Sequence, residues 1–186
     1  MPDSSETGCE IIATTSGKLH VWRMEAFEYA CKVQGKRNVE KEAVKQLLVG
    51  LGFGEEPLNY LPSGQPVFAA SKEHLSISHS DGWFAVYIAH EKVGVDIQVR
   101  SPRIAQGKNY FLNENERHLE DTDLLHLIWG AKEALYKKYG GEMHDLREEV
   151  TFESLDDSSQ SLYLIYKGDI ERFSYRIETE YFLVWS

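Results

Sequence analysis

The stretch from 75 to 99 constrains the fold most. Leu75-Ser-Ile-Ser-His79 and Trp83-Phe-Ala-Val-Tyr-Ile-Ala89 are separated by Asp81-Gly82, a pair suited to the left-handed backbone of a tight hairpin turn. After Glu91-Lys92 comes a third apolar run, Val93-Gly-Val-Asp-Ile-Gln-Val99. Short runs rich in β-branched and aromatic residues, joined by so little chain, read as three strands in an antiparallel meander.

Two long helices frame this region. Between 36 and 51 the apolar residues Val39, Ala43, Val44, Leu47, Leu48 and Leu51 recur at helical spacing, and Gly50, Gly52 and Gly54 close the run. A second helix is expected over 124–139, ending in Gly140-Gly141. Further strands are expected at 19–24, 149–152, 161–166, 172–178 and 181–185, with Lys167-Gly-Asp169 as one turn. Short helices are expected at 26–33 and at 110–116, the latter capped by Asn113, and 57–66 reads as a loop.

The order therefore occurs twice: long helix, polar loop, antiparallel strands. It predicts an α+β fold of two similar halves, 1–92 and 93–186, related by a pseudo-twofold axis and forming one compact unit with a cleft between them. Helix followed by strands is also a common order, so coincidence is the competing account.

The 186 residues carry a formal charge of -10, which argues against nucleic acid as a partner, since that binding rests on clustered Lys and Arg. It would also repel an acidic protein at long range, leaving recognition to a local patch. With 42% hydrophobic and 12% aromatic residues the chain has enough apolar surface to fold. Cys9 and Cys31 are the only cysteines and lack metal-ligand spacing, which fits a reducing cytoplasm. Residues 1–8 have no signal-peptide pattern, and no later run approaches the roughly 20 apolar residues of a membrane span.

Candidate chemistry lies on two elements. In the strand 93–99, Val93, Val95, Ile97 and Val99 alternate with Asp96 and Gln98, which share the opposite face. Two residues along a strand span about 6.6 Å, so both can approach one ion, and carboxylate and amide oxygens are hard donors suited to Mg²⁺. In the second helix the apolar stripe is Leu124, Leu127, Ile128, Ala131, Ala134 and Leu135; Trp129, Glu133 and Lys137 form a row opposite it, with Lys132 and Tyr136 adjoining. Two accounts of that row are open. It is a solvated face with a Glu133–Lys137 ion pair and a covered Trp129, or a cleft wall that offers a second carboxylate and cations for a pyrophosphate.

Val93-Gly-Val-Asp96-Ile-Gln98 followed by Trp129-Gly-Ala-Lys132-Glu133-Ala-Leu-Tyr-Lys137 resembles the paired signature of the phosphopantetheinyl transferase superfamily. Leu75-Ser-Ile-Ser-His79-Ser80 is similar to that family's serine-histidine motif and Gly64-Gln-Pro66 to its glycine-proline loop, in the same order. The long segment before the aspartate motif resembles the branch that carries both halves in one chain, which implies a monomer. The resemblance implies transfer of the phosphopantetheine arm of coenzyme A to a serine of an apo acyl or peptidyl carrier protein. It also implies Mg²⁺ held by Asp96, Gln98 and Glu133, Glu133 as general base, and Asp96 and Lys137 in the catalytic set. Coenzyme A would be held by Lys36, Arg37, Ser78, His79, Lys132 and Lys137. From position alone, His79 also reads as a structural histidine, and Lys36 and Arg37 as a solvated helix start. Two positions depart from the family pattern. Gln98 stands where many members have glutamate, and Gly130 where a small polar residue is usual; Gln98 motivates the alternative of a relative that binds coenzyme A or a carrier protein without transfer.

Overall fold

A computed structural model describes residues 8–55, 57–140 and 142–186; the N-terminal pattern over 1–7 and Gly141 of the helix-closing pair lie outside the described residues. The chain runs β1 (Glu10–Ala13), β2 (Gly17–Arg23), α1 (Phe27–Gln34), α2 (Lys36–Leu48) with a π-helical turn at Val49–Phe53, β3 (Leu58–Tyr60) and β4 (Pro66–Phe68). Next come β5 (His74–Ser80), β6 (Trp83–Ala89), β7 (Val95–Val99), α3 (Ile104–Gly107), α4 (Thr122–Lys138), α5 (Leu146–Glu149), β8 (Val150–Asp156), β9 (Ser161–Tyr166), β10 (Asp169–Ile177) and β11 (Tyr181–Trp185). The class is α+β with antiparallel sheets, as the sequence implies. One sheet has the order β1-β2-β6-β5 and a second the order β7-β11-β10-β9-β8.

The expected hairpin between β5 and β6 forms, turning through Asp81 and Gly82 at φ of 41° and 90°. The meander does not continue. β7 leaves the first sheet and pairs with β11 of the second, so the apolar run that looked like a third strand of one sheet is the edge of another. Its other edge lies along β5, where the hydroxyls of Ser76, Ser78 and Ser80 accept from the backbone N–H groups of Val95, Ile97 and Val99 at 3.0, 3.2 and 3.1 Å. Serine oxygens thus stand in for the carbonyls of a missing strand partner and satisfy an otherwise open edge.

Beneath this seam lies a core drawn from both sheets, in which Leu19, Val21 and Tyr87 pack with Val95, Ile97 and Leu183. A second core, around Val39, Val44, Leu75 and Phe84, covers α2 on the first sheet, and a third, around Leu125, Ile128, Leu164 and Phe173, covers α4 on the second. Asp121 starts α4 by accepting from the N–H of Leu124 at 2.8 Å.

Two smaller expectations are corrected. The 57–66 segment contains β3, which pairs with β4 as a separate ribbon. Asn113 does cap, its oxygen accepting from the N–H groups of Asn115 and Glu116 at 3.0 and 3.2 Å, but no helix forms over 110–116. The carboxylate of Glu116 is drawn inward to Lys132 and to the N–H of Phe152, which pulls the chain off a helical path.

Gly94 sets the distance between α4 and β7. A methyl group there would lie 1.8 Å from the backbone oxygen of Ala134, so the two elements touch through main chain. Gly94→Ala is expected to destabilise the protein by about 1–3 kcal/mol, because neither backbone can yield locally. Urea unfolding measures this, and an unchanged midpoint would show that α4 shifts freely over β7.

Candidate functional site

α4 packs across β7 and β11, so its polar residues meet the polar face of β7. Asp96 lies at that junction and is buried. Its Oδ1 accepts from Ser78 Oγ at 2.8 Å and Lys137 Nζ at 2.7 Å, and its Oδ2 accepts from Gln98 Nε2 at 2.7 Å. Lys137 gives a second N–H to the Val95 carbonyl at 3.0 Å. Three donors converging on one buried carboxylate fix its rotamer.

Glu133 lies one turn before Lys137 on α4. The anticipated pairing between them gives way to the Lys137–Asp96 bridge, and among the described residues no hydrogen bond or ion pair closes on the Glu133 carboxylate. Burial pushes its carboxyl pKa up, the neighbouring charge of Asp96 adds to this, and Lys137 opposes it. Glu133, Tyr136 and Lys137 line a cavity of about 220 Å³ with Gln65 and Ile77. A groove of about 520 Å³ shares Gly64, Pro66 and Ile77 with it and adds Arg37, Lys41 and His79. The combined cleft has Glu133 and Lys137 at one end and Arg37, Lys41, His79 and Glu40 at the other.

A model of the 4'-phosphopantetheinyl transferase superfamily matches residues 92–184, the segment that carries Asp96, Glu133 and Lys137. The chain belongs to this superfamily. No curated protein matches it. Phosphopantetheine transfer is the reaction of this superfamily, whose members use coenzyme A as donor and carrier proteins as acceptors. No helix among the described residues is long and apolar enough to cross a membrane.

Several residues assigned to coenzyme A or metal from the motif make other contacts in this superfamily member. Lys132 is fully buried and does not line the cavity, donating to the Phe111 carbonyl at 2.8 Å and to Glu116 at 3.0 Å. Its ammonium is committed to those two acceptors. Ser78 is also buried; its hydroxyl proton goes to Asp96 and its oxygen receives the Ile97 N–H, so both its hydrogen-bonding functions are used within the seam. Gln98 turns its NH₂ toward Asp96 and its oxygen toward His126 Nδ1, at 3.1 Å. Trp129 packs on Phe111, with ring centres 5.2 Å apart, and lines a separate hollow with Gln98 and His126.

Arg37 and His79 do come together across the groove, with His79 Nδ1 3.3 Å from Glu40 Oε1. Lys36 is directed to Asp81 at 3.1 Å, which raises its pKa. The motif reading missed His126 and, of the β5 serines, Ser76 and Ser80. Both left a trace in the sequence: one histidine inside the apolar run Leu124–Ile128, and serines at every second position from 76 to 80.

Asp96 and Glu133 fit a magnesium ion. Mg²⁺ takes one or two protein carboxylates and completes its shell with water and substrate phosphate, and a pair of carboxylates sharing a single lysine leaves one negative charge uncompensated. Among the described residues no cluster of three or more His, Cys, Asp or Glu side chains forms an all-protein cage.

Proposed function

We propose that this chain is an active transferase that moves the phosphopantetheine arm of coenzyme A onto a serine hydroxyl of an apo acyl or peptidyl carrier protein, with Mg²⁺ held by Asp96 and Glu133. The observation that carries the proposal is the Glu133 carboxylate, unpartnered among the described residues and raised in pKa, set beside Asp96 and Lys137 at one end of a groove that leads to Arg37 and His79. The groove suits an elongated ligand with a pyrophosphate at one end and a further phosphate at the other. Both walls come from one chain under this reading, the halves 1–92 and 93–186 related by a pseudo-twofold axis, so a monomer working in the cytoplasm suffices.

In the reaction the serine oxygen forms a bond to the phosphorus of the arm, the bond from that phosphorus to the bridging oxygen breaks, and adenosine 3',5'-bisphosphate leaves. Glu133 takes the serine proton as general base. Lys137 already gives two of its three N–H groups to Asp96 and Val95, and the third is available to a phosphate oxygen in the cavity. Arg37 and His79 bind the nucleotide end. When bound, Mg²⁺ neutralises charge on the pyrophosphate and orients it for in-line attack.

Incubation with coenzyme A, Mg²⁺ and an apo carrier protein is expected to raise the carrier's mass by one phosphopantetheine. Chelating the metal stops the gain and adding Mg²⁺ back restores it. Saturable binding of coenzyme A with no gain for any carrier would favour the alternative, a relative that binds without transfer.

A further inference from the structure

Behind Asp96 lies a line of neutral groups that the reaction itself does not use. We infer that His126 is a positioning residue for the Asp96 carboxylate, acting through Gln98; the inference rests on the reading of Asp96 as a metal-binding group.

Each link in the line has a forced polarity. A carboxylate only accepts, so the 2.7 Å contact with Asp96 Oδ2 must come from the Gln98 NH₂. The amide oxygen then faces His126 Nδ1 at 3.1 Å, so Nδ1 must carry a proton. In a neutral ring this leaves the lone pair on Nε2, and the backbone N–H of Ser101 is aimed at it from 3.1 Å. The opposite tautomer would direct Nε2–H at the Ser101 carbonyl, also at 3.1 Å, but would set two lone pairs against each other at Gln98. The ring is buried and stacked on Phe182, with centres 4.3 Å apart and planes 10° from parallel, and burial lowers its pKa. Ser101 N–H, His126 Nδ1–H and Gln98 N–H therefore donate in one direction, toward Asp96.

The packing around Gln98 points the same way. A methyl group on Gly130 would lie 3.2 Å from Gln98 Nε2 and 2.9 Å from Val184 Cγ2. The two departures from the family pattern, Gln98 and Gly130, are thus in contact: the glycine leaves room for the amide. A glutamate at 98 in this rotamer would press a carboxylate oxygen on Asp96 Oδ2, whereas the amide makes a hydrogen bond of the same contact. Gln98 is the link that lets His126 hold Asp96, and not a weakened ligand.

Two measurements test this without any transfer assay. Long-range ¹H–¹⁵N spectra of the unaltered protein near pH 7 are expected to show His126 protonated on Nδ1, and an Nε2–H tautomer would overturn the inference. Calorimetric titration of the coenzyme A complex with Mg²⁺ is expected to show affinity about 10- to 100-fold weaker in His126→Phe, which keeps the stack on Phe182 but has no donor for Gln98. His126→Asn places an N–H at the Nδ1 position and is expected to keep most of the affinity. Unchanged affinity in a folded His126→Phe, an equal loss in His126→Asn, or no Mg²⁺ binding by the unaltered protein would each overturn it. Failure of the transferase reading would look different: no carrier modification, with the tautomer and the Mg²⁺ effects in place.

Discussion

Glu133→Gln is expected to slow transfer to the carrier protein by about two to four orders of magnitude, the range a positioned general base supplies, while the fold stays intact. The substitution keeps the side chain's shape and removes its charge. Among the described residues no partner hydrogen-bonds to this carboxylate, so none is orphaned by the change. Its ionised form is disfavoured by burial and by Asp96, and that penalty disappears with the charge. Thermal melting should therefore show a midpoint unchanged or slightly raised. The contrast decides the role: a residue that only supports the fold would lose stability and activity together. A variant that transfers at the normal rate would remove Glu133 from the reaction, and one that melts early would show that the carboxylate has a structural partner.

The convergence of Asp96, Glu133 and Lys137 was legible in the sequence because each lies on an element whose periodicity fixes its direction: a strand that alternates and a helix with a polar row. What lay beyond reach was set by non-local contacts. β7 reads as the next strand of a meander, and only the three serines of β5, which receive its N–H groups, let it cross into the second sheet. Ser78 resembles a ligand-binding residue by motif, yet the same seam commits its hydroxyl to Asp96. The helical wheel misplaced Lys132 because a stripe-and-face reading assumes one wet side. α4 is buried around most of its circumference, with Leu125 and His126 inside as well as Leu127 and Ile128, so a lysine in the adjoining row needs a buried partner. Nothing local to α4 signals that Glu116, on a loop well upstream, is that partner.

Lys132→Met carries the second large effect, and it falls on stability. The Lys132 ammonium and the Glu116 carboxylate are both buried and 3.0 Å apart, and Glu116 also accepts from the N–H groups of Asn113, at 2.8 Å, and of Phe152. Burial lowers the lysine's pKa and the neighbouring Glu116 counters it. Removing the ammonium leaves a buried carboxylate with backbone donors but no countercharge, a change that costs about 3–5 kcal/mol. Urea unfolding measures the loss. The double variant Lys132→Met with Glu116→Gln removes both charges, keeps an acceptor for the Phe152 N–H, and is expected to recover much of it. The same pair of variants separates the two views of this motif lysine. A lysine that held coenzyme A phosphates would, when replaced, raise KM for coenzyme A and leave stability nearly unchanged, and the second substitution would restore nothing. A lysine that ties α4 to the 111–116 loop lowers stability, leaves KM of the folded fraction where it was, and is rescued by its partner's neutralisation. The burial of Lys132 and its hydrogen bonds to Phe111 and Glu116 predict the second pattern.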